Sequence, residues 1–255
     1  MIPVDDRGLL LGDGLFETML AVDGRMEHWA AHWARLSAGC ATLGLPLPDE
    51  FQTRVACTNA LATALLNKGR AAVRLTLTAG SGGRGLERPA AITARVFVTV
   101  ASAPDAVLAP AKLVTSHVRR NEGSPASRLK SLAYLDNVLA RREALAAGGD
   151  EALMLNNRGE PACASAANIF WIIGGKLVTP ALECGVLAGT TRARVIEQAG
   201  RIGTEVVEGR FTPEALRGCD GAFITNSLIG LRAISRLDGA SLPAHRLFGA
   251  IAAAL

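Results

Sequence analysis

The stretch Arg128-Leu129-Lys130-Ser131-Leu132 places one of the chain's four lysines at the start of a helix predicted over Ser131–Ala147. The N-terminus of a helix disfavours a cation, and apolar neighbours disfavour any charge, so both lower the pKa of the lysine amine. A lower pKa enlarges the neutral fraction, which is the form that attacks carbonyl carbons. Since many lysines at helix starts are ordinary solvated side chains, the rest of the chain decides between a reactive and a surface lysine.

Two polar segments elsewhere in the chain offer groups that bind phosphate. Gly189-Thr190-Thr191-Arg192 opens another predicted helix, where backbone N–H groups and two hydroxyls suit an anion. The same residues also fit an ordinary threonine N-cap. Thr225-Asn226-Ser227 follows a predicted strand and is either a further set of donors or a polar turn.

Two patterns resemble nucleotide and metal sites, but the residues around them do not fit such sites. Gly80, Gly82 and Gly85 spell GxGxxG, but a strand is predicted after them, whereas a dinucleotide site needs a helix. His28 and His32 have the i, i+4 spacing of zinc ligands but lack the glutamate of HExxH. The five cysteines are odd in number and include no CxxC pair, so we expect free thiols and no metal site.

The composition indicates a globular protein and excludes several classes of partner. The 255 residues are 49% hydrophobic and 20% charged, which argues against disorder. Lys and Arg total 27 against 23 Asp and Glu, and no basic run concentrates the excess, so nucleic-acid binding is not expected. The start MIPVDDRG lacks a signal-peptide pattern, and no apolar run is long enough to cross a bilayer. We therefore expect a cytoplasmic protein without a membrane partner, acting on a small anionic molecule.

The order of the predicted elements indicates an α+β fold with two lobes. Strands and helices follow each other without the regular βαβ pattern of a parallel sheet. Ala101–Ala111 contains two prolines and many small residues and is the best candidate linker. We predict a small N-terminal domain over residues 1–105, a linker over 106–111, and a larger C-terminal domain over 112–255 that carries Lys130.

Six segments, in this order along the chain, resemble the class IV aminotransferase family, the pyridoxal phosphate (PLP) enzymes of fold type IV. The segments are Asp6–Thr18 (DRGLLLGDGLFET), His32–Leu36 (HWARL), Thr78–Gly85 (TAGSGGRG), Lys130–Leu135 (KSLAYL), Ala166–Phe170 (AANIF) and Cys184–Arg192 (CGVLAGTTR). The resemblance implies PLP held as a Schiff base by Lys130, and an active site between two domains that the partner of a homodimer completes. Relatives usually carry another strand or hairpin before the position of Asp6, so we expect the start to be truncated or misassigned.

The resemblance also implies which residues bind the cofactor phosphate. The arginine of the family's HxxRL motif contacts this phosphate, and Arg35 occupies its position here. Thr190, Thr191 and Ser227 are implied as further phosphate ligands, and Asn226 as a neighbouring cofactor-binding residue.

The chain departs from the family at the residue that faces the pyridine nitrogen of PLP. The family has a glutamate five residues before the asparagine that corresponds to Asn168, whereas this chain has Cys163. A thiol holds a proton on the ring nitrogen poorly, which makes the ring a weaker electron sink. Glu160 lies three residues earlier and would replace the missing glutamate only if the loop were rebuilt.

The resemblance implies an enzyme but leaves its reaction open. The short chain and segments such as Thr225–Gly230 (TNSLIG) are most similar to 4-amino-4-deoxychorismate lyase, which releases pyruvate and gives 4-aminobenzoate for folate biosynthesis. Transamination of D-amino acids or branched-chain amino acids is the alternative. In either reaction Lys130 removes the Cα proton of a small amino substrate as general base. Because of Cys163, a PLP-binding relative without catalysis is a third alternative.

Overall fold

The computed structural model of the chain describes residues 2–103 and 108–255. Contacts divide the chain into two units, of which the first comprises Met1–Asp105 and Leu129–Ala133, and the second Ala106–Arg128 and Tyr134–Leu255. The predicted domain boundary at residue 105 and the first two residues of the predicted 106–111 linker lie outside the described residues.

The first unit is built on a four-stranded antiparallel sheet with the strand order β2-β1-β3-β4. Its elements are α1 (Arg7–Leu11), β1 (Gly14–Val22), β2 (Arg25–Met26), α2 (Trp29–Leu43), α3 (Glu50–Thr63), β3 (Arg70–Thr78) and β4 (Arg95–Ser102). Leu15, Met19 and Ala21, on one side of β1, are buried in the same cluster as Leu36 and Cys40 of α2. The period of two along β1 therefore gives the sheet one apolar face, which packs against the helices.

Near the N-terminus, Asp23-Gly24 predicts a hairpin turn, and Gly44 with Pro46 predicts a helix end. The structure confirms both predictions. Asp23 and Gly24 form a two-residue turn between β1 and β2, and both have positive φ (48° and 77°), as a type I′ hairpin turn requires. Helix α2 ends at Gly44, which adopts the left-handed conformation (φ 63°) and donates its amide to the carbonyl of Ala41.

A short segment from later in the chain, Leu129–Ala133, pairs with β1. The amide of Phe16 donates to the carbonyl of Lys130 (2.9 Å), and the amide of Leu132 donates to the carbonyl of Gly14 (3.0 Å). The sequence predicts Lys130 within the second domain, but these bonds group its segment with the first unit. The predicted helix start at Ser131 is also wrong. The backbone of this segment forms hydrogen bonds with β1 instead of helical ones, and the helix begins only at Leu135.

The second unit contains a mixed nine-stranded sheet with the order β10-β9-β8-β11-β12-β5-β6-β7, and β13 pairs with β12. Its strands are β5 (Ala111–Thr115), β6 (Glu151–Leu155), β7 (Pro161–Ala164), β8 (Asn168–Ile173), β9 (Lys176–Pro180), β10 (Val206–Gly209), β11 (Gly221–Asn226), β12 (Gly230–Leu237) and β13 (Ala240–Ser241). Its helices are α4 (Leu135–Ala146), α5 (Thr190–Arg201), α6 (Pro213–Arg217) and α7 (Leu247–Ala254), with single 3₁₀ turns at Pro125–Arg128 and Leu182–Cys184. β5 runs parallel to both of its neighbours, β12 and β6.

Strand β8 lies at the centre of the core of the second unit and is buried on both faces. Ile169 and Trp171 belong to one hydrophobic cluster, and Phe170 and Ile172 belong to the cluster that includes α5 and α7. Burial on both faces explains why this strand is continuously apolar in the sequence and was predictable without alternation.

The predicted α+β fold class is confirmed, with two further corrections to its elements. Gly8–Gly14 is predicted as a loop, but α1 forms there because the carboxylate of Asp6 accepts from the amide of Gly8 and caps the helix. Strand β12 is not predicted, since Arg232 and Arg236 interrupt its apolar pattern.

The packing of β1 between β3 and the Leu129–Ala133 segment predicts that Gly14 tolerates no side chain. A Cβ on Gly14 would lie 2.3 Å from the carbonyl oxygen of Leu77 and 2.8 Å from Cδ1 of Leu132. Gly14→Ala should therefore lower the free energy of unfolding by about 1–3 kcal/mol in urea denaturation. Gly200→Ala in α5 is the control, because its new Cβ meets no heavy atom within 4 Å and the alanine should be neutral or stabilising. Equal stabilities of the two variants would contradict this packing.

Candidate functional site

The side chain of Lys130 lies against Phe16 of β1. Its Nζ is 4.3 Å from the centroid of the Phe16 ring. The guanidinium of Arg74, on the neighbouring strand β3, lies 3.7 Å from the same centroid. Since the face of an aromatic ring attracts cations, the Phe16 ring is a contact for both positive groups.

The pKa of the Lys130 amine is lowered from its ordinary value of 10.5 to about 8. Burial is the largest cause, the charge of Arg35 comes next, and Arg74 acts in the same direction, whereas Glu17 opposes them. The helix N-terminus that the sequence suggested is not a cause, because α4 begins only at Leu135. With this pKa roughly a tenth of the amine is neutral at pH 7, far more than for a solvated lysine.

Arg35 is held by a buried carboxylate on β1. Its Nε and Nη2 donate to Oε1 and Oε2 of Glu17 at 2.8 and 2.5 Å. His32, one turn earlier on α2, contacts Oε2 of Glu17 through Nδ1 at 2.7 Å. Burial alone would raise the pKa of Glu17, but the hydrogen bonds from Arg35 and His32 outweigh it and keep this pKa below its ordinary value. Glu17 is therefore ionised, and the Arg35 guanidinium is fixed by a two-point contact.

In the second unit, the first predicted phosphate segment begins helix α5. Gly189 is the N-cap, and Thr190 and Thr191 are the first residues of the helix. A Cβ on Gly189 would lie 2.0 Å from Oδ1 of Asn168, so a larger residue there would force the Asn168 side chain at the start of β8 to move. Because a glycine N-cap supplies no side-chain oxygen to the first amides, this helix start suits an anion.

The second predicted donor segment, Thr225-Asn226-Ser227, forms the end of β11 and the turn after it. Oδ1 of Asn226 accepts from two backbone amides of this turn, both at 3.0 Å. Its Nδ2 donates to the backbone carbonyl of Ala166, also at 3.0 Å. The side chain of Asn226 therefore shapes the turn that carries Ser227.

Cys163 lies in β7 and is buried in a cluster with Met154 and Cys184. Burial raises the pKa of its thiol, against the positive charge of Arg120 and with the help of the negative charge of Glu151. The side chain at this position is therefore a neutral thiol and not an anion.

Glu160, the acidic residue closest before Cys163 in the sequence, is bound within a turn. Its Oε2 accepts from Nδ2 of Asn156 at 2.7 Å, and its Oε1 lies 3.7 Å from Nη1 of Arg210. The carbonyl of Glu160 also accepts from the amide of Asn156, which closes the turn between β6 and β7. These contacts hold the Glu160 carboxylate within the turn between β6 and β7.

The structure brings predicted site residues together within each unit. In the first unit, Arg35 and Lys130 are close enough for the guanidinium charge to lower the amine's pKa. The second unit carries the remaining predicted residues on β7, at the start of α5 and at the end of β11: Cys163, Thr190, Thr191, Asn226 and Ser227.

Three residues around Lys130 were given no role from the sequence: Phe16, Glu17 and Arg74. A signal was available for Glu17, because it is a carboxylate at an inward position of an otherwise apolar strand. The approach of Arg74 to Phe16 depends on the register between β1 and β3, in which Thr18 pairs with Arg74, and no local pattern reveals that register.

His28 and His32, which have the spacing of zinc ligands, are in different surroundings in the structure. His28 precedes α2 in the left-handed conformation (φ 53°), and His32 binds Glu17. Within residues 2–103 and 108–255, no group of three or more His, Cys, Asp and Glu side chains is arranged to hold a metal ion. No helix in this described part of the chain has the length and apolar character needed to cross a membrane.

Comparison with known proteins gives matches over most of the chain. Residues 14–237 match the family described as amino-transferase class IV. A Methanocaldococcus jannaschii protein named "Putative branched-chain-amino-acid aminotransferase" is 35% identical over 245 residues, which cover 93% of this chain and 83% of the relative. An aminodeoxychorismate lyase of Bacillus subtilis is 31% identical over 242 residues, with coverages of 91% and 80%. The crystal structure of 4-amino-4-deoxychorismate lyase from Pseudomonas aeruginosa has a TM-score of 0.87 and 31% identity, and the match covers 98% of this chain and 93% of that one.

The environment of Lys130 predicts an unusual titration that nuclear magnetic resonance can follow. In the full-length chain labelled with ¹³C at the lysine Cε atoms, the Lys130 signal is the one that disappears in Lys130→Ala. Its midpoint should lie near pH 8 in the folded protein, and near the ordinary 10.5 in urea, where burial is lost. A folded-state midpoint equal to that in urea would contradict the described environment.

Proposed function

Because the chain belongs to the class IV aminotransferase family, we propose that it is a PLP enzyme in which the Lys130 amine bonds the aldehyde carbon of the cofactor. The predicted family is confirmed, and so is the prediction of an enzyme, a lyase or aminotransferase of class IV. Members of this family depend on PLP. The observation that carries the proposal is the amine of Lys130, which burial and Arg35 keep unusually free of its proton.

The residues of the chain fit the two reactive ends of this cofactor. An aldehyde needs a neutral amine, which Lys130 supplies through its lowered pKa. A phosphate needs cations and hydrogen-bond donors, and we assign these roles to Arg35, Thr190, Thr191 and Ser227, with Asn226 shaping the turn beside Ser227. The helix start at Gly189, which lacks a capping side chain, supports the assignment of the two threonines.

Lys130 performs the proton transfers of the proposed reaction. PLP, when bound, withdraws electrons from the bonds of the carbon next to the substrate's amino group. The Nζ of Lys130 would accept the Cα proton of the bound substrate as general base. A pKa of about 8 suits this role, because a base is most effective when its pKa is close to the working pH. The Nζ of Lys130 lies over the ring of Phe16, 4.3 Å from its centroid.

Within the family we favour the lyase reaction, in which 4-amino-4-deoxychorismate loses pyruvate and becomes 4-aminobenzoate. The observation behind this choice is Cys163, a neutral thiol whose pKa burial raises. A neutral thiol does not hold a proton on the pyridine nitrogen as a carboxylate does, so the cofactor is a weaker electron sink. Both reactions use that sink when Lys130 removes the Cα proton. Pyruvate elimination also makes an aromatic ring, whose stability provides a further driving force.

Transamination of branched-chain or D-amino acids is the second candidate reaction. Its support is the similarity to proteins named as branched-chain and D-alanine aminotransferases, which is as extensive as the similarity to lyases. Both reactions need Lys130 as a base, so the contacts of this residue do not separate them.

We also propose a homodimer in the cytoplasm. Helix α1 exposes Leu9 and Leu10 to 63% and 62%, and contact with a second copy of the chain would bury these apolar side chains. The five cysteines are all free thiols, which fits a reducing compartment.

Product analysis with a substrate panel tests the proposed reaction. The PLP-loaded protein is incubated with 4-amino-4-deoxychorismate, or with D-alanine or L-leucine together with 2-oxoglutarate. We expect equal amounts of pyruvate and 4-aminobenzoate from the first substrate, and little keto acid from the two amino acids. Lys130→Ala should lower the rate by about 10²–10⁴-fold, whereas Lys68→Ala, in an exposed bend, should leave it unchanged. If keto acids are the only products, the lyase proposal is wrong.

A further inference from the structure

Glu17 occupies a position on β1 where the pattern of the strand predicts an apolar side chain. Leu15 and Met19, on the same face, belong to the hydrophobic cluster of the first unit, and Glu17 itself is 1% exposed. Removing a carboxylate from water costs several kcal/mol, which its partners have to offset. A buried ion pair of this kind often adds no more net stability than apolar residues of similar size. The presence of the carboxylate therefore points to a role other than stability.

Both oxygens of Glu17 bind partners on α2. Arg35 donates to the two oxygens with two different nitrogens, a geometry that fixes the plane of its guanidinium. His32 binds one of these oxygens, and because Glu17 is ionised and only accepts, Nδ1 of His32 carries the proton in this contact. The side chains of Glu17 and His32 are 2% and 3% exposed, whereas that of Arg35 is 16% exposed. The carboxylate thus lies in the core, and the cation lies nearer to the surface.

Of this ion pair, Arg35 has the larger effect on the Lys130 amine. Arg35 lowers the pKa of Lys130 more strongly than Glu17 raises it. An arginine side chain has high rotamer entropy and does not keep one position without a firm contact. Glu17 accepts from its Nε and Nη2 at 2.8 and 2.5 Å, and Nη2 also lies 3.5 Å from Nδ1 of His32.

We propose that Glu17, supported by His32, is a positioning residue that holds the Arg35 guanidinium where its charge acts on Lys130 and directs it towards the cofactor phosphate. The direction towards the phosphate rests on the proposed function, whereas the effect of the Arg35 charge on Lys130 does not. Loss of Glu17 then acts through Arg35, because the Arg35 side chain is free to adopt other rotamers. Its effect on the pKa of Lys130 and its binding of a phosphate should both weaken.

A double-mutant cycle on the Lys130 titration tests this role in the full-length, cofactor-free chain. Arg35→Gln removes the cation and should raise the Lys130 midpoint by about one pH unit. In a Glu17→Gln background the same change should raise the midpoint by about half as much or less, because Arg35 is no longer held. The direct effect of the Glu17 charge cancels, since each comparison is made within one background.

The control for the cycle is Glu50→Gln, which removes another carboxylate of the first unit, one bound to Nε1 of Trp29. In that background the full effect of Arg35→Gln should remain. An equal Arg35→Gln effect with and without Glu17 would overturn the proposal, and so would the absence of any effect in the wild-type background. If Glu17→Gln does not fold, Glu17→Asp replaces it, because the shorter side chain keeps the charge but does not span both contacts.

Binding of PLP and of pyridoxal, which lacks the phosphate, separates this inference from the proposed function. Relative to pyridoxal, Arg35→Gln and Glu17→Gln should each weaken PLP binding about tenfold, and the double variant should lose no more than Arg35→Gln alone. Weaker PLP binding in Arg35→Gln but not in Glu17→Gln would overturn the positioning role. Coupling in the Lys130 titration with unchanged PLP affinity would support the positioning role and contradict the assignment of Arg35 to the phosphate.

Discussion

One hydrogen bond positions the site residues of the first unit. The amide of Phe16 donates it to the carbonyl of Lys130 (2.9 Å). It joins a segment from the middle of the chain to the first strand, and so fixes the lysine backbone next to the Phe16 ring. The side chain then lies over that ring and within the fields of Arg35 and Arg74. In a free loop the same lysine would be solvated and protonated, and its amine would be a poor nucleophile.

The positions of the charged groups around Lys130 depend on β1, whose successive side chains point to opposite faces of the sheet. Phe16 and Glu17 are neighbours in sequence, so they point to opposite faces of the sheet. Phe16 meets the lysine directly, while Glu17 reaches into the helix-covered core and binds Arg35. One strand therefore contributes both the surface that carries the amine and the carboxylate that holds a neighbouring cation. The net positive surroundings disfavour a charged lysine and suit an anionic ligand.

Local signals in the sequence predicted much of the fold, and non-local contacts account for the errors. The Asp23-Gly24 turn, the end of α2 at Gly44 and the apolar strand β8 each carry their own signal within a few residues. The position of Lys130 does not, because the pairing of Leu129–Ala133 with β1 joins residues more than a hundred positions apart. The lowered pKa of this lysine was predicted with the wrong cause, since the helix N-terminus lies at Leu135. The roles of Cys163, Thr190, Thr191, Asn226 and Ser227 remain predictions that their described positions support.

Peptide mass spectrometry after borohydride reduction tests the central claim, that Lys130 is the residue that bonds PLP. Reduction of the PLP-loaded protein turns the carbon–nitrogen bond between lysine and cofactor into a permanent one, so digestion leaves the adduct on its peptide. The chain has only four lysines, which makes the assignment unambiguous. We predict one phosphopyridoxyl group, on the peptide that contains Lys130. A group on Lys68, Lys112 or Lys176 in its place, or no group at all, would contradict the claim.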